Sequence, residues 1–580
     1  MIKMIKTLFR QTKGYRLASV LSPLLILIEV YMEVQLPFVM SELVDRGVSG
    51  GAGIDFVVRE GAKMVLMALI ALASGAAAAR FAAKAGMGFG ANVRASVFEK
   101  IQNFSFANID RFSTPSLITR MTTDINTMQM AYTMIVRIVV RSPLMLCMAF
   151  SYAYKLNHTL SRIFIIAAPV LFSLLAVMAI LALPRFRTLM KKVDGLNSSV
   201  QENLIGIRVI KAFVRAGHEK EKFRISNDEL KDASIAAEKL LILSNPFMQM
   251  TVYGCIIAIF WFGGNLVVES SMTVYDLAAF ITYVNQILMS LMMISMIFAM
   301  GVMSKESLNR VIEVMAEVPE ISDKDADPSL TVDNGDIEME NVCFKYKKNG
   351  KKNVIDNINV HIKSGETIGI IGGTGSAKTT FVQMIPRLYD VTEGVVKVGG
   401  KPVSDYMLKN LRDSVAMVLQ VNLLFSGTIE ENLRWGNPDA TQEQIETACK
   451  IAQAHDFVMS FPDGYRTNLG QGGVNLSGGQ KQRLCIARAL LKSPRVLILD
   501  DSTSAVDTAT DAKIRDGLRK YHPDVTKIIV AQRISSVEHA DRIIVLDDGK
   551  IDAIGSHNEL LGTNKIYTEV YKSQQEGSVA

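Results

Sequence analysis

The sequence is poor in cysteine and in charged residues, and its glycines follow no strict period. The five cysteines among 580 residues show neither CxxC pairs nor metal-ligand spacing, so neither a disulfide scaffold nor a zinc site is supported. Charged residues make up 21% of the chain and hydrophobic residues 49%, with a mean hydropathy of +0.23, which is too apolar for an ordinary soluble enzyme. The same composition excludes a disordered or collagen-like chain.

The chain also lacks a strong excess of either charge. Its 63 basic and 57 acidic residues give a formal net charge of +6. Such a mild excess over this length does not indicate a nucleic-acid partner. It suits a membrane protein whose cytoplasmic loops are basic.

Long hydrophobic runs are concentrated in the first 304 residues. Six of them carry little or no charge and are long enough to cross a bilayer core of about 30 Å. The sequence therefore predicts an α-helical, six-span transmembrane domain over residues 1–317. The runs lie near residues 17–41, 64–83, 125–154, 163–183, 240–268 and 277–304.

The basic residues indicate how these spans are oriented. The loops after the second and fourth runs are rich in lysine and arginine, as are residues 1–16, so the positive-inside rule makes these segments cytoplasmic. Only Lys155 and Arg162 depart from this rule, because they lie in a short loop that is predicted on the outer side of the membrane. We therefore expect a multi-pass protein of the cytoplasmic membrane, with its N-terminus and C-terminal domain in the cytoplasm. A secretory signal or an amphipathic surface helix are alternatives for residues 17–28, but the run exceeds a signal's length and has no A-x-A-like cleavage site.

The composition becomes polar after Lys305. Residues 318–335 are typical of a linker. Over residues 336–580, short β-branched runs such as 367–371 and 496–499 alternate with helical stretches. This pattern predicts a mainly parallel α/β domain.

A glycine-rich loop follows the strand predicted over residues 366–371. Its backbone amides can surround phosphate oxygens at a helix N-terminus, Lys378 supplies positive charge, and the Thr379 hydroxyl can bind Mg²⁺. Ala377 departs from the motif, which has glycine there, and its methyl group can crowd the loop. An ordinary strand-to-helix turn is the alternative, but the strand-loop-helix context favours a phosphate site. The loop consists of Gly372, Gly373, Thr374, Gly375, Ser376, Ala377, Lys378, Thr379 and Thr380.

Two acidic residues, Asp500 and Asp501, end the apolar strand predicted over residues 495–501. A carboxylate at the end of a strand beside a phosphate loop can hold Mg²⁺ through water, and we assign that role to Asp500.

A pentapeptide between these elements adds the most specific signal: Leu476, Ser477, Gly478, Gly479 and Gln480. With it, the sequence resembles the ATP-binding-cassette family, whose signature motif the pentapeptide matches unchanged. The resemblance covers nearly the whole chain. It implies a half-size exporter of the type IV fold, a six-span domain fused to a P-loop NTPase cassette, with ATP and Mg²⁺ as cofactors.

The resemblance implies further site residues. Tyr346 is expected to stack on adenine, and Gln420 to sense Mg²⁺ and the membrane domain. Taken alone, each is more typical of a packing or surface residue, but their order and spacing favour the functional interpretation. The dimer-contact loop after the Walker B strand is expected to be Ser504, Ala505, Val506 and Asp507.

Two positions depart from the family pattern. Where the family has a glutamate as general base, this chain has Asp501, whose stem is one methylene shorter. A well-placed general base contributes roughly 10² to 10⁴ in rate, so we expect severely slowed hydrolysis. Where the family has a histidine that contacts the γ-phosphate, this chain has Gln532, which cannot become positively charged. His539 does not fit the motif.

Family members pair two cassettes so that each ATP lies between one chain's Walker motifs and the other chain's signature. The resemblance therefore implies a heterodimer, in which this chain adds a degenerate Walker side to one site and an intact signature to its partner's site. A homodimer that tolerates both substitutions and turns over slowly is the alternative.

Two cytoplasmic segments resemble the family's coupling helices, which convert cassette closure into movement of the spans. Without the resemblance they are amphipathic loop helices. The first is 106–121, with Asp110, Arg111 and Phe112, and the second is 207–223, with Lys211, Ala212 and Phe213.

Ionisable residues inside the predicted spans are expected to have a specific role, because inserting a charge into the membrane costs about 2.5 to 3.5 kcal/mol of free energy on insertion scales. Glu29 with Glu33, and Arg137 with Arg141, each share one helix face. Either they line a polar cavity for charged substrate or they neutralise one another. The sixth run carries a stripe that suits varied apolar ligands or simply helix packing: Asn285, Met289, Met293 and Met296.

The sequence thus predicts one half of an exporter of hydrophobic or amphipathic substrates, such as drug-like compounds, lipids or peptides. It works by alternating access in a lipid bilayer with a second half-transporter. A membrane-embedded regulatory subunit that binds ATP without transporting anything is the alternative from another class. An importer is disfavoured by analogy, because the spans and the cassette are fused in one chain.

Overall fold

The fold comes from a computed structural model, which describes residues 10–579 except 270, 348, 349, 351 and 503. The chain divides into two compact units. The first contains Met1–Gln102 and Thr114–Glu317, and the second contains Asn103–Ser113 and Val318–Ala580. A short segment of the N-terminal half therefore belongs to the C-terminal unit.

The N-terminal half is helical. Short π-helical turns, Leu43–Ser49 and Arg120–Asp124, continue the first helix and precede the fifth. The helices are α1 (Arg16–Glu42), α2 (Ile54–Gln102), α3 (Phe106–Phe112), α4 (Thr114–Thr119), α5 (Ile125–Leu156), α6 (His158–Ile205), α7 (Ile207–Ala212), α8 (Ala216–Val268) and α9 (Val274–Ala316).

Six helical segments of the described chain are long and apolar enough to cross a membrane, which confirms the predicted number of spans. Several helices extend well beyond their apolar runs; α2, with 49 residues, is roughly 70 Å long, more than twice the thickness of a bilayer core. The candidate spans are Arg16–Gly47, Ile54–Gln102, Thr114–Leu156, His158–Ile205, Pro246–Val268 and Val274–Ile297.

The first unit packs α1 against α2, α5 against α9, and α6 against α8. Its buried core draws on most of these helices, with residues such as Val30, Ala78, Phe164 and Phe280. One buried polar group in this core has a backbone partner: the Tyr283 hydroxyl donates to the Val34 carbonyl at 2.9 Å. This pairing removes the cost of an unsatisfied hydroxyl in an apolar interior.

The second unit contains three sheets. Their strands are β1 (Ile337–Phe344), β2 (Ile355–Ile362), β3 (Thr367–Gly372), β4 (Glu393–Val398), β5 (Lys401–Pro402), β6 (Val415–Val418), β7 (Gly427–Thr428), β8 (Asn468–Leu469), β9 (Val496–Asp500), β10 (Thr526–Val530), β11 (Arg542–Asp547) and β12 (Lys550–Gly555). The central sheet has six strands in the order β12-β11-β3-β10-β9-β6, in which only β12 is antiparallel to its neighbour. A four-stranded antiparallel sheet has the order β2-β1-β4-β5, and β7 pairs with β8.

Helices cover this central sheet, and every residue of β9 and β10 is buried, as expected for parallel strands packed on both faces. Short 3₁₀ turns occur at Gly464–Arg466, Gln471–Gly473 and Ile534–Ser536. The helices are α10 (Lys378–Gln383), α11 (Leu408–Ser414), α12 (Ile429–Arg434), α13 (Gln442–Ile451), α14 (His455–Met459), α15 (Gly478–Leu490), α16 (Thr508–Tyr521), α17 (His557–Thr563) and α18 (Lys565–Val579).

Candidate nucleotide site and intramembrane charges

The carboxyl ends of four neighbouring parallel strands meet at one edge of the central sheet. The phosphate-loop sequence follows β3, and Asp500 ends β9. Gln532 and Gln420 each lie two residues beyond their strands, β10 and β6. This edge is where open α/β sheets bind ligands, and it brings most of the predicted nucleotide-site residues together.

The loop after β3 has the backbone of a tight phosphate cradle. Gly372 cannot carry a side chain, because an ideal Cβ there lies 2.2 Å from the Leu546 carbonyl oxygen. Ala377 has φ of 71° and ψ of 24°, a left-handed conformation that favours glycine, and α10 begins at the next residue. Lys378 Nζ donates to the Gly372 and Gly373 carbonyls at 2.8 and 2.9 Å. Gly373, Thr374 and Gly375 are exposed, whereas Ser376 and Thr380 are buried.

The Asp500 carboxylate fits a metal cation. Asp500 is 1% exposed, and its Oδ1 accepts from the Thr379 hydroxyl at 3.1 Å, while the buried Oδ2 has no hydrogen-bond partner. Burial raises the pKa of Asp500, and the Thr379 hydrogen bond opposes that rise. Burial likewise lowers the pKa of Lys378. A buried carboxylate oxygen next to a threonine hydroxyl is a donor set that suits Mg²⁺.

Asp501 and Gln532 contact each other directly. Gln532 Nε2 donates to Asp501 Oδ2 at 2.7 Å, and Asp501 has a positive φ of 48°. Burial raises the pKa of Asp501, and hydrogen bonds from Gln420 and Gln532 oppose the rise. Both glutamines and the second aspartate therefore form one polar group beside Asp500.

Tyr346 lies at the border of the phosphate loop. Its hydroxyl is 2.8 Å from the Thr380 hydroxyl, and its ring meets Phe344 and Tyr389 edge to face. The residue is 49% exposed, so ring surface is available for stacking.

The signature residues begin α15. The exposed Ser477 caps this helix: its backbone N–H donates to Gln480 Oε1 at 2.9 Å, and its hydroxyl accepts from Gln480 N. Leu476 is buried. An ideal Cβ on Gly479 lies 2.8 Å from the Ala505 carbonyl oxygen, so glycine allows the signature to pack against the loop at 504–507. Val506 is buried in that loop, and Asp507 caps α16 through its hydrogen bond with Thr510 N.

Three residues that the sequence did not single out hold these loops. Gln482 Oε1 accepts from Ala505 N at 3.1 Å, and Arg533 donates to the Ser504 carbonyl at 3.4 Å. Gln574, on α18, accepts from Ile534 N at 2.9 Å and donates to the Gln532 carbonyl at 2.7 Å. Spacing in the sequence gives no signal for Gln574, because only the fold brings the C-terminal helix to this loop.

The first predicted coupling segment is divided at Ser113, which has φ of 57°. Its first half, α3, belongs to the second unit, where Tyr389 Oη donates to Asp110 Oδ2 at 2.6 Å. The Phe106 ring meets the Tyr389 ring edge to face, with centroids 6.0 Å apart. Asn108 Nδ2 donates to the Val318 carbonyl at 3.2 Å.

The second predicted coupling segment is exposed. It contains the short helix α7, which has no buried residue. Phe213 and Val214, just after it, are 73% and 86% exposed.

The intramembrane charges form an ion cluster. Arg141 Nη2 lies 2.6 Å from Glu33 Oε2 and 3.5 Å from Glu29 Oε1. Arg137 has no ion pair with another described residue. The stripe on α9 is exposed: Asn285, Met289, Met293 and Met296.

The sequence is similar to known proteins along nearly its whole length. A family model described as the ABC transporter transmembrane region matches residues 20–291, and one described as ABC transporter matches residues 355–504. The chain is 35% identical over 569 residues to the uncharacterized ABC transporter ATP-binding protein YfiB of Bacillus subtilis (strain 168), with 98% of each chain covered.

Two further similarities extend this result. An ATP-dependent lipid A-core flippase of Syntrophus aciditrophicus (strain SB) is 31% identical over 493 residues, which cover 83% of this chain and 80% of the flippase. A solved structure of a bacterial Atm1-family ABC exporter with ATP bound matches with a TM-score of 0.83 at 23% identity, covering 96% of this chain and 99% of that one. The structural match shows a shared fold.

Proposed function

The chain belongs to the ABC transporter family, and from that premise we propose that it is one half of a heterodimeric exporter of hydrophobic or amphipathic substrates. Its membership makes it an ATP-driven membrane exporter with an ATP-binding cassette. Its fold is the type IV exporter fold that the sequence predicted. The heterodimer, the roles of single residues and the substrate class belong to the proposal.

The heterodimer proposal rests on the contact between the two unusual side chains. Gln532 donates to Asp501 at 2.7 Å, so a neutral amide occupies one oxygen of the shortened carboxylate. A general base acts within about 2.6–3.2 Å of the proton that it accepts, directly or through one water. We infer that a shorter carboxylate held by an amide activates water poorly. Hydrolysis then depends mainly on a Walker side that a second chain supplies.

The remaining residues of this Walker side suit binding rather than hydrolysis. In the proposal, the backbone amides of the loop and Lys378 hold the phosphates, and Tyr346 stacks on adenine. Thr379, Asp500 and Gln420 hold Mg²⁺, which neutralises phosphate charge when bound. The orphaned oxygen of Asp500 supports the metal site.

The signature of this chain completes the partner's site. Ser477 and Gly478 are exposed at the N-terminus of α15, where backbone N–H groups favour an anion such as a nucleotide phosphate. The packing of Gly479 against Ala505 joins the signature to the loop that contacts the second cassette.

Coupling is assigned to two segments. Within the second unit, α3 contacts the cassette through the hydrogen bond from Tyr389 to Asp110. In the proposal, a movement of the cassette at this contact is passed along the chain from α3 to α4, and from there to the spans. The second segment is the α7 region, residues 207–215, which is exposed. We assign it to contact with a second chain, because exposed apolar side chains outside the spans typically mark an interaction surface.

The proposed organisation is a transmembrane domain at 1–317, a linker at 318–335 and a cassette at 336–580. The N-terminus and the cassette lie in the cytoplasm, on the argument from the basic loops. Alternating access moves the substrate outward across the cytoplasmic membrane.

The first test is Mg²⁺-dependent ATPase turnover of this chain purified alone in lipid at saturating ATP. We expect near-background turnover while ATP still binds, because binding does not need the general base. Lys378→Ala is the control, and it should abolish ATP binding. Robust wild-type turnover that Lys378→Ala removes would instead support a homodimeric exporter.

A second test separates the two sites of the complex. With a partner that carries glutamate and histidine at the positions of Asp501 and Gln532, Ser477→Arg in this chain should abolish turnover, because it blocks the partner's site. Lys378→Ala should lower turnover much less. Equal losses in the two variants would contradict the degenerate-site assignment, and restored turnover without substrate movement would indicate a regulatory subunit.

A further inference from the structure

Three charged side chains meet between the membrane-spanning helices of the first unit. Glu29 and Glu33 lie on α1 and Arg141 on α5. One guanidinium nitrogen, Arg141 Nη2, serves both glutamates, at 2.6 Å from Glu33 Oε2 and 3.5 Å from Glu29 Oε1. Glu33 is therefore the better paired of the two carboxylates.

The cluster has one negative charge in excess, since two carboxylates share one guanidinium. Arg137, one helical turn earlier on α5, forms no ion pair within the described part of the chain. An uncompensated charge in a membrane span is costly, and such residues typically lie on a substrate or ion pathway.

Two side-chain atoms of this cluster lack a hydrogen-bond partner among the described residues. Glu29 Oε2 and Arg141 Nε are buried and have no hydrogen-bond partner. The Glu29 side chain is 13% exposed, whereas those of Glu33 and Arg141 are each 37% exposed. The cluster is thus accessible on the side of Glu33 and Arg141, and its unsatisfied carboxylate oxygen lies deeper.

Gly75 on α2 forms the wall behind Glu29. An ideal Cβ at Gly75 lies 3.0 Å from the Glu29 carboxylate carbon and from Oε1. A methyl group at this position would press on the carboxylate, so glycine keeps the space that the Glu29 headgroup occupies.

We propose that this cluster binds the positively charged group of a monovalent, apolar organic cation. The proposal rests on the exporter function above and specifies its substrate class. The cationic group supplies the missing charge at Glu29, while Arg141 stays with Glu33. An anion at Glu29 would instead double the excess negative charge of these three side chains, unless it displaced Glu33 from Arg141.

Two probe ions of nearly the same shape and opposite charge provide the test: radiolabelled tetraphenylphosphonium and tetraphenylborate. Binding is measured at equilibrium on the full chain in nanodiscs of zwitterionic lipid, without nucleotide. We expect saturable binding of the phosphonium alone, weakened at least tenfold by Glu29→Gln. Glu42→Gln is the matched control on α1, because Glu42 pairs with Arg46 at 2.9 Å near the helix end, and it should bind as wild type.

A second variant separates loss of the site from loss of the fold. Arg141→Gln removes the competing cation and leaves both carboxylates, so phosphonium binding should be retained or tightened. Equal binding of both ions, or an unchanged affinity in Glu29→Gln, would overturn the proposal and leave a structural ion cluster. The assay involves neither hydrolysis nor transport, so its failure is distinct from failure of the ATPase test.

Discussion

Asp500 combines near-complete burial with one unpaired oxygen, and it therefore costs the fold free energy whenever it is ionised. Thr379 satisfies only the other oxygen. Burial raises the pKa of Asp500 because the charged form loses hydration, and the hydrogen bond from Thr379 offsets part of this effect. This cost suits the site to a cation: Mg²⁺, if bound here as proposed, would compensate a carboxylate charge that Thr379 and Lys378 compensate only in part.

Asp500→Asn should therefore stabilise the chain in the absence of Mg²⁺ at pH 8. A buried unsatisfied polar group costs about 1–3 kcal/mol, and a gain of about 1 kcal/mol raises the thermal midpoint of a domain of this size by about 2–4 °C. The folded-state pKa lies above the unfolded one, so the wild type loses stability as pH rises through that folded-state pKa. The advantage of the variant should disappear at pH values below the unfolded-state pKa, and differential scanning calorimetry measures it.

The control for this prediction is Asp356→Asn. Hydrogen bonds from Asn353 and Lys550 lower the pKa of Asp356, the opposite of Asp500, so the substitution should not stabilise the chain. An Asp500→Asn midpoint at or below that of the wild type at pH 8 would contradict the account of Asp500 as an uncompensated charge.

At this scale the sequence was informative where function lies in contiguous residues. The phosphate loop and the signature could be placed because each is one short stretch beside a strand or a helix start. Gln482, Arg533 and Gln574 could not, because their roles depend on contacts that the fold creates between distant segments. The contact between Asp501 and Gln532 is of the same kind: the sequence indicated two substitutions but not their hydrogen bond.

Among the elements, α3 shows how a short helix can be fixed to another part of the chain. Ser105 and Asn108 form a capping box at its start, and the left-handed Ser113 ends it. The sequence predicted one segment over residues 106–121, whereas the structure separates α3 from α4. The six spans were predictable from apolar length, but this division depends on the backbone at one serine, which apolar patterning does not report.

Tyr389→Phe should uncouple the cassette from the membrane helices without preventing ATP binding. The variant keeps the aromatic ring that meets Phe106 but loses the hydroxyl that donates to Asp110. A hydrogen bond to a charged group contributes about 1.5–3 kcal/mol, so docking of α3 should weaken by up to that amount. In the assembled transporter we expect at least a several-fold loss of substrate transport per ATP hydrolysed.

Tyr406→Phe is the matched control, since it removes another buried hydroxyl of the cassette, one that donates to the Val398 carbonyl. It should lower stability and leave transport per ATP unchanged. If the two variants lower this ratio equally, the contact between Tyr389 and Asp110 has no special part in coupling.

For the whole molecule, the chemistry of the α7 region favours a partner protein over lipid. Phe213 and Val214 are exposed apolar residues, and the basic side chains of Arg208, Lys211 and Arg215 are exposed beside them. The segment lies in the chain between α6 and α8, outside the apolar runs at 163–183 and 240–268. A surface that is apolar at its centre and basic at its rim fits a partner with an apolar depression and acidic borders.

A photocrosslinking amino acid at Phe213, introduced in the native host cells, should identify what contacts this surface. We expect crosslinks to the cassette of a second ABC chain, one whose sequence has glutamate and histidine at the positions equivalent to Asp501 and Gln532. Phe223, 42% exposed on α8, is the control position and should crosslink far less. Crosslinks from Phe213 to a second copy of this chain would instead indicate a homodimer, and crosslinks to lipid alone would remove the argument that α7 contacts a partner cassette.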